Sequence, residues 1–196
     1  MDLACYGNEQ AARRIRPVLF RILLGIMTPG KLLDLGTGHG GFALAAHEMG
    51  WDVTAVDART QRMPMTDGIE WIQADVRAFP VEGYDCVAIL GLLYHLELAD
   101  QLDILRRCAP TPTIADTHVS LDPDYKQGDY EGHLVDELAG RTVAEHRRCG
   151  TASWGNLVAF YPTEESLLRM FQDCGYTATY KLSPPYLEDR TFYLCL

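Results

Sequence analysis

The feature that most limits how this chain can fold is the run Asp34-Leu-Gly-Thr-Gly-His-Gly-Gly41. It sits between a short apolar segment, KLLDLG (31–36), and a helical pattern from Gly41 to Met49 that Gly50 closes. Glycines lack a Cβ, accept positive φ, and let backbone N–H groups reach a ligand at the start of the following helix.

The flanking sequence keeps the same alternation of strand and helix. Ile15, Val18, Leu19, Ile22 and Ile26 fall at helical spacing within 9–27, and Thr28-Pro29-Gly30 ends that helix. Strands are expected at Trp51–Asp57, Ile69–Gln73, Asp85–Leu90 and Thr113–Val119, with a helix on Leu98, Leu102 and Leu105 before Pro110. Thr163 is a natural N-cap, with Glu164 and Glu165 in the positive first turn of a helix that Gly175 closes. Its apolar face is Leu167, Met170, Phe171 and Cys174. Tyr176–Leu182 and Thr191–Leu196 finish the chain as strands too close together for a crossover helix, so the last strand should be antiparallel. The pattern predicts an α/β fold: one domain over residues 1–196 with a mostly parallel, doubly wound sheet. Residues 120–161 interrupt the alternation and carry Tyr125, Tyr130, His133, His146, Trp154 and Asn156. An insertion of this kind after strand five is expected to be an acceptor-binding loop or lid.

Composition narrows the partners. The net charge of −10 repels phosphate backbones, which argues against nucleic acid. The clusters Arg13, Arg14, Arg16 and Arg147, Arg148 read as solvated patches. The six cysteines show no paired spacing and read as buried small hydrophobes. The N-terminus has no secretory pattern and no run reaches the ~18 apolar residues of a membrane span, so a cytoplasmic protein without a membrane partner is expected. The apolar first helix could serve a homodimer interface as easily as the core.

Gly36, Gly38 and Gly41 also satisfy G-x-G-x-x-G, which keeps a nicotinamide or flavin dinucleotide in play. Three carboxylates favour S-adenosylmethionine (SAM) instead. Asp34, two residues before the first glycine, suits a cationic amino group and would sit badly beside a pyrophosphate. Asp57 at the end of the second strand can accept from ribose hydroxyls. Asp75, with Val76 beside it after the third strand, can accept from an adenine amino group.

With LLDLGTGHGG, the Asp57 strand end, ADV at 74–76, YDCVAILGLLYHL at 84–96 and the reversed last strand, the chain resembles the class I SAM-dependent methyltransferases. The resemblance implies a Rossmann-like sheet of seven strands. It also implies a loop of Gly36, Gly38 and Gly40 against the amino-acid part of SAM, with Asp57 and Asp75 on ribose and adenine. The Asn/Asp-Pro-Pro-aromatic motif of many enzymes that methylate planar nitrogens is replaced here by Leu-Leu-Tyr94-His95, which lowers the case for such an acceptor.

Chemistry in open α/β sheets sits beyond the carboxyl ends of the strands, which singles out Tyr94, His95, Asp116 and His118. His95 is a candidate general base or a helix cap, and Tyr94 a packing residue. Asp116 and His118 lie two apart on a strand and share a face. They read as a base with its orienter, as two ligands of a divalent cation such as Mg²⁺, or as a structural pair. Glu131, His133, Glu137 and His146 could complete such a site or sit on the surface.

DTHV, Tyr-Glu-Gly, Ser-Trp-Gly-Asn and Phe-Tyr-Pro-Thr-Glu-Glu-Ser-Leu are similar to small bacterial methyltransferases acting on sugar or secondary-metabolite hydroxyls, those of methylmannose polysaccharide synthesis among them. That resemblance implies O-methylation of a small polar acceptor, a sugar or oligosaccharide. Other readings stay open: modification of a tRNA wobble uridine, natural-product O-methylation, and SAM binding without catalysis.

Overall fold

The computed structural model describes residues 3–149, 153–184 and 187–196, with side chains given outside 3–13 and Arg147. The chain opens with α1 (Leu3–Leu24), β1 (Lys31–Leu35), α2 (Gly41–Glu48), β2 (Asp52–Asp57), β3 (Ile69–Gln73), β4 (Cys86–Leu90), α3 (Leu98–Cys108) and β5 (Thr113–His118). It closes with β6 (Tyr125–Gln127), β7 (Tyr130–Asp136), α4 (Val143–Arg148), β8 (Val158–Pro162), α5 (Glu164–Cys174), β9 (Thr179–Leu182) and β10 (Arg190–Cys195).

Seven strands form one sheet in the order β3-β2-β1-β4-β5-β10-β9. β1 to β5 pair in parallel, and β10 runs antiparallel to both β5 and β9, as the short connection requires. Both faces are covered, so central β4 is apolar and buried along its whole length rather than alternating. Leu33, Leu35, Val87, Ile89, Ala115 and Tyr193 face the layer built on α3 and α5. The intervening Leu32, Ala88, Leu90, Ile114 and Phe192 pack with Leu19, Phe20 and Leu24 of α1 and Ala43 and Ala46 of α2. Helix α1 begins six residues before the expected start and carries Pro17, which removes one intrahelical hydrogen bond. Its Val18, Ile22 and Ile26 remain exposed.

The insertion is more regular than its sequence suggested. β6, β7 and β8 form a second, antiparallel sheet, and α4 is closed by a capping box between Thr142 and Glu145. Gly132 permits the β7–β8 contact, since a Cβ there would lie 2.2 Å from the Tyr161 carbonyl oxygen. Fully buried Phe160 anchors β8 to the main body: its N–H donates to the Leu96 carbonyl, and its own carbonyl accepts from Gln101 Nε2 at 2.6 Å.

Two expectations need correction. Arg16 is no part of a solvated patch, because it reaches inward to Asp116. Burial pushes the thiols of Cys86, Cys108 and Cys195 up to about 12, and Cys174 is also buried, but Cys149 is half-buried and takes a contact from Arg141 Nη1 at 3.2 Å. The Cys5 side chain lies outside the described residues, as do residues 185 and 186 between the last two strands. Among the described residues, no helix is long and apolar enough to cross a membrane.

Candidate active site

β1 pairs with β2 on one side and β4 on the other, so the chain reverses its winding there and leaves a crevice at the strands' carboxyl ends. A cavity of about 770 Å³ occupies that crevice. One half is built on the glycine loop. Gly36, Gly38 and Gly40 take φ of 76°, 56° and 70°, and the N–H groups of Gly36 and Thr37 both donate to the Val56 carbonyl. Gly36, Gly38 and Gly41 line the cavity. Gly40 turns away: a Cβ there would lie 2.6 Å from the Trp71 ring and 2.8 Å from Pro64. Its place is the left-handed N-cap of α2, packed against β3.

The carboxylates of this half differ in state. Asp57 accepts from the Gly38 N–H at 2.9 Å and the Arg59 N–H at 2.8 Å, tying the ends of two strands together. Asp34, at the base of the loop, is 2% exposed, and its Oδ2 and the Thr37 hydroxyl have no hydrogen-bond partner. Burial lifts the Asp34 carboxyl to about 6, with the Thr37 hydroxyl opposing and Asp57 adding to the rise. Asp75 is gripped on both oxygens by Arg77, whose side chain holds the carboxyl below its usual range. Each carboxylate oxygen has a second lone pair, so this grip leaves room for a further donor. Val76 is buried beside it and lines the cavity. The residues fit SAM: Asp57 would take its ribose hydroxyls and Asp75 with Val76 its purine, and the orphaned Asp34 carboxylate, buried at the base of the loop behind the cavity lining, would be the counter-charge of its ammonium.

The other half collects the histidines. His95, at the end of a single 3₁₀ turn (Leu93–His95), lines the cavity, and its Nδ1 lies 2.9 Å from Glu137 Oε1. Glu137 comes from the end of β7 and is 7% exposed. Burial would raise its carboxyl, but the bond to His95 and that from the Ser153 N–H hold it below its ordinary range. An ionised carboxylate only accepts, so Nδ1 of His95 donates to it, and in the neutral ring Nε2 keeps its lone pair. Among the described residues, that Nε2 has no hydrogen-bond partner. His146 is buried beneath this pair, bonded to the Glu137 carbonyl and the Ser153 hydroxyl.

His118 is placed differently. Its Nε2 lies 2.9 Å from Arg190 Nη1, and its Nδ1 lies 2.8 Å from Asp189 Oδ2. A guanidinium only donates, so Nε2 must accept and Nδ1 must donate, and both nitrogens are engaged. Asp116 shares the face of His118 but does not orient it. The fully buried carboxylate takes a bidentate pair from Arg190 at 2.8 and 2.9 Å and a further pair from Arg16. Its bonds to Arg190 outweigh burial and raise the pKa of that guanidinium. A divalent cation does not fit Asp116 and His118, because guanidinium groups occupy both Asp116 oxygens and His118 Nε2, and Asp189 holds His118 Nδ1. Among the described residues, no group of three or more His, Cys, Asp or Glu is placed to hold a metal.

Tyr94 packs between the histidine rings, 4.3 Å from His95 and 4.8 Å from His118 between centroids. Trp154 and Asn156 of the insertion also line the cavity. His133 and Glu131 lie away from it, paired with Asp124 and Lys126. Sequence reasoning missed Arg16, Arg59 and Arg190. A signal for Arg190 was present: a reversed last strand begins where the parallel strands end, so its first residue arrives at the site.

A family model described as methyltransferase domain matches residues 8–181. A comparison with curated proteins finds no match. Among solved structures, the N-terminal domain of EvdMO1 with SAH bound superposes with a TM-score of 0.68 at 16% identity, covering 96% of this chain and 79% of that one. The Burkholderia thailandensis 1,6-didemethyltoxoflavin-N1-methyltransferase gives 0.61 at 18%, covering 97% and 79%. The glycopeptide N-methyltransferase MtfA with SAH gives 0.60 at 14%, covering 92% and 86%. Taken with the sheet order and the glycine loop, the family match settles the assignment: the chain belongs to the methyltransferase domain family and is a class I SAM-dependent methyltransferase.

Proposed function

We propose that the protein methylates a hydroxyl of a small polar acceptor, a sugar or oligosaccharide, with His95 as general base. The observation that carries this reading is the difference between the two cavity histidines: His95 has an oriented ring and a free Nε2, whereas His118 has neither nitrogen free. SAM, when bound, supplies an electrophilic methyl group. The protein must then hold the acceptor in line and take its proton. His95 Nε2 accepts the hydroxyl proton as the oxygen–methyl bond forms and the methyl–sulfur bond breaks. Glu137 fixes the ring and stabilises the imidazolium that results.

The walls suit such an acceptor. Tyr94 and Trp154 offer aromatic faces for the C–H surface of a sugar ring, and Asn156 offers an amide near its hydroxyls. The related EvdMO1 domain was solved in the presence of SAH and D-fucose, which supports a sugar without naming one. On this reading the insertion (120–161) is the acceptor-binding element, since it supplies Glu137, Trp154 and Asn156. The test is a transfer assay with labelled SAM against sugars, sugar acids, sugar phosphates, phenols and bulk tRNA, each with and without EDTA. Label in a sugar, unaffected by chelator, is expected. Label in tRNA alone would overturn the acceptor class.

A further inference from the structure

The cavity wall is rich in arginine although the chain as a whole is acidic. Five arginines line it (Arg16, Arg59, Arg62, Arg77 and Arg190) against three aspartates, in a chain of net charge −10. Arg16 and Arg190 share Asp116, and Arg77 is held by Asp75 and Asn156. Arg59 reaches the Ser153 carbonyl at 2.9 Å and lies over the Trp154 ring, 5.2 Å from its centroid. Arg62 is different: among the described residues it makes no hydrogen bond or ion pair, and its Nη2 is buried without a partner. Arg59 is 9% exposed, and burial, then the charge of Arg62, lowers its pKa. Two guanidinium groups held near one another, one of them unpartnered, leave a repulsion that an oxyanion would relieve.

The position of this pair ties it to the acceptor. A short relay runs from Arg59 Nη2 to the Ser153 carbonyl, from the Ser153 N–H to Glu137 Oε2 at 3.1 Å, and from Glu137 Oε1 to His95. SAM has one anionic group, the carboxylate of its amino-acid end, which belongs at the glycine loop rather than beyond the ribose subsite at Asp57. We propose that Arg59 and Arg62 form an oxyanion subsite, and that the acceptor is a hydroxylated acid, a sugar phosphate or a sugar acid, whose anionic group lies against both guanidiniums. This rests on the O-methyltransferase reading and narrows its acceptor.

The experiment is calorimetric titration of the SAH-saturated full chain at fixed ionic strength with pyrophosphate, inorganic phosphate, glucuronate and glucose. SAH binding itself checks the methyltransferase reading separately. The expected result is that at least one of the three oxyanions binds more tightly than glucose, the phosphate and glucuronate arms telling a phosphoryl from a carboxylate group. Arg62→Gln should weaken that binding by about tenfold or more and leave SAH affinity within about twofold, with Arg62→Lys recovering part of the loss. The proposal is overturned if no oxyanion outbinds glucose in the wild-type protein, or if binding vanishes once SAH is bound, which would make the cofactor's own carboxylate the natural occupant. It is equally overturned if Arg62→Gln binds as the wild type does.

Discussion

Glu137 Oε1 accepts from His95 Nδ1 at 2.9 Å, joining the turn just after β7 of the small sheet to the 3₁₀ turn that follows β4 of the large one. The insertion thus supplies the group that orients a side chain of the main body. Replacing His95 with Ala should lower kcat by ~10²–10⁴-fold, the usual contribution of a positioned base. Glu137→Gln should give a smaller loss of roughly 10- to 100-fold in kcat with little change in acceptor KM. His118→Ala should cost less than about tenfold, because neither of its nitrogens is free to take a proton. Steady-state kinetics on the acceptor found in the transfer screen would decide. Equal losses at His95 and His118 would sink the assignment of the base.

Asp34 makes the apo protein sensitive to pH. Its carboxyl sits at about 6 in the fold against an ordinary 3.8, so the folded state holds the extra proton and stability falls as pH rises between those values. Above that window the buried charge costs roughly 3 kcal/mol. Asp34→Asn should therefore raise the melting temperature of the apo protein at pH 7.5 and not at pH 4. It should also weaken SAH binding by about tenfold, since the ammonium loses its counter-charge. Melting curves at both pH values, with and without SAH, report both effects. A variant that melts like the wild type at pH 7.5, or that binds SAH more tightly, contradicts the account.

Asp116 is a keystone of charge rather than a metal ligand. Its removal leaves Arg190, itself 9% exposed, and Arg16 without their shared carboxylate. Breaking a buried pair by taking away one partner costs about 3–5 kcal/mol. Asp116→Ala should lower the melting temperature by roughly 6–20 °C for a chain of this length. A loss of methyl transfer without loss of stability would instead point to a direct chemical role.

Gly40 cannot take a side chain. Its φ of 70° is left-handed, and a Cβ there would collide with Trp71 and Pro64, neither of which is the free end of a flexible chain. Gly40→Ala should cost at least ~1–2 kcal/mol from backbone strain alone and should displace the loop that Gly36 and Gly38 form. The same substitution at Gly41, where a Cβ meets nothing within 4 Å, should leave stability nearly intact and reduce SAH affinity through the cavity wall. Thermal melts and SAH titrations of the two variants separate packing from lining.

Much of the fold was legible because the forces that set it are local or periodic. Apolar runs bounded by glycine and proline marked the strands, Thr163 and Gly175 marked the ends of α5, and the short final connection required a reversed β10. The insertion sheet was not legible. Its strands gain a buried side from pairing with one another and from the main body, through Phe160 of β8 and through Tyr130 and Glu131 of β7 against α5, contacts that lie far apart in the chain.

By itself, the sequence determined the alternation of strand and helix, the glycine loop and the carboxylates that border it, because each depends on neighbours a few residues away. Only the tertiary structure decided which histidine can act as a base. Glu137 is 42 residues from His95, Arg190 is 72 from His118, and Arg16 is 100 from Asp116. Whether a nitrogen keeps its lone pair, or a carboxylate its charge, depends on the donors and acceptors that folding brings within 3 Å, and spacing along the chain carries no record of them.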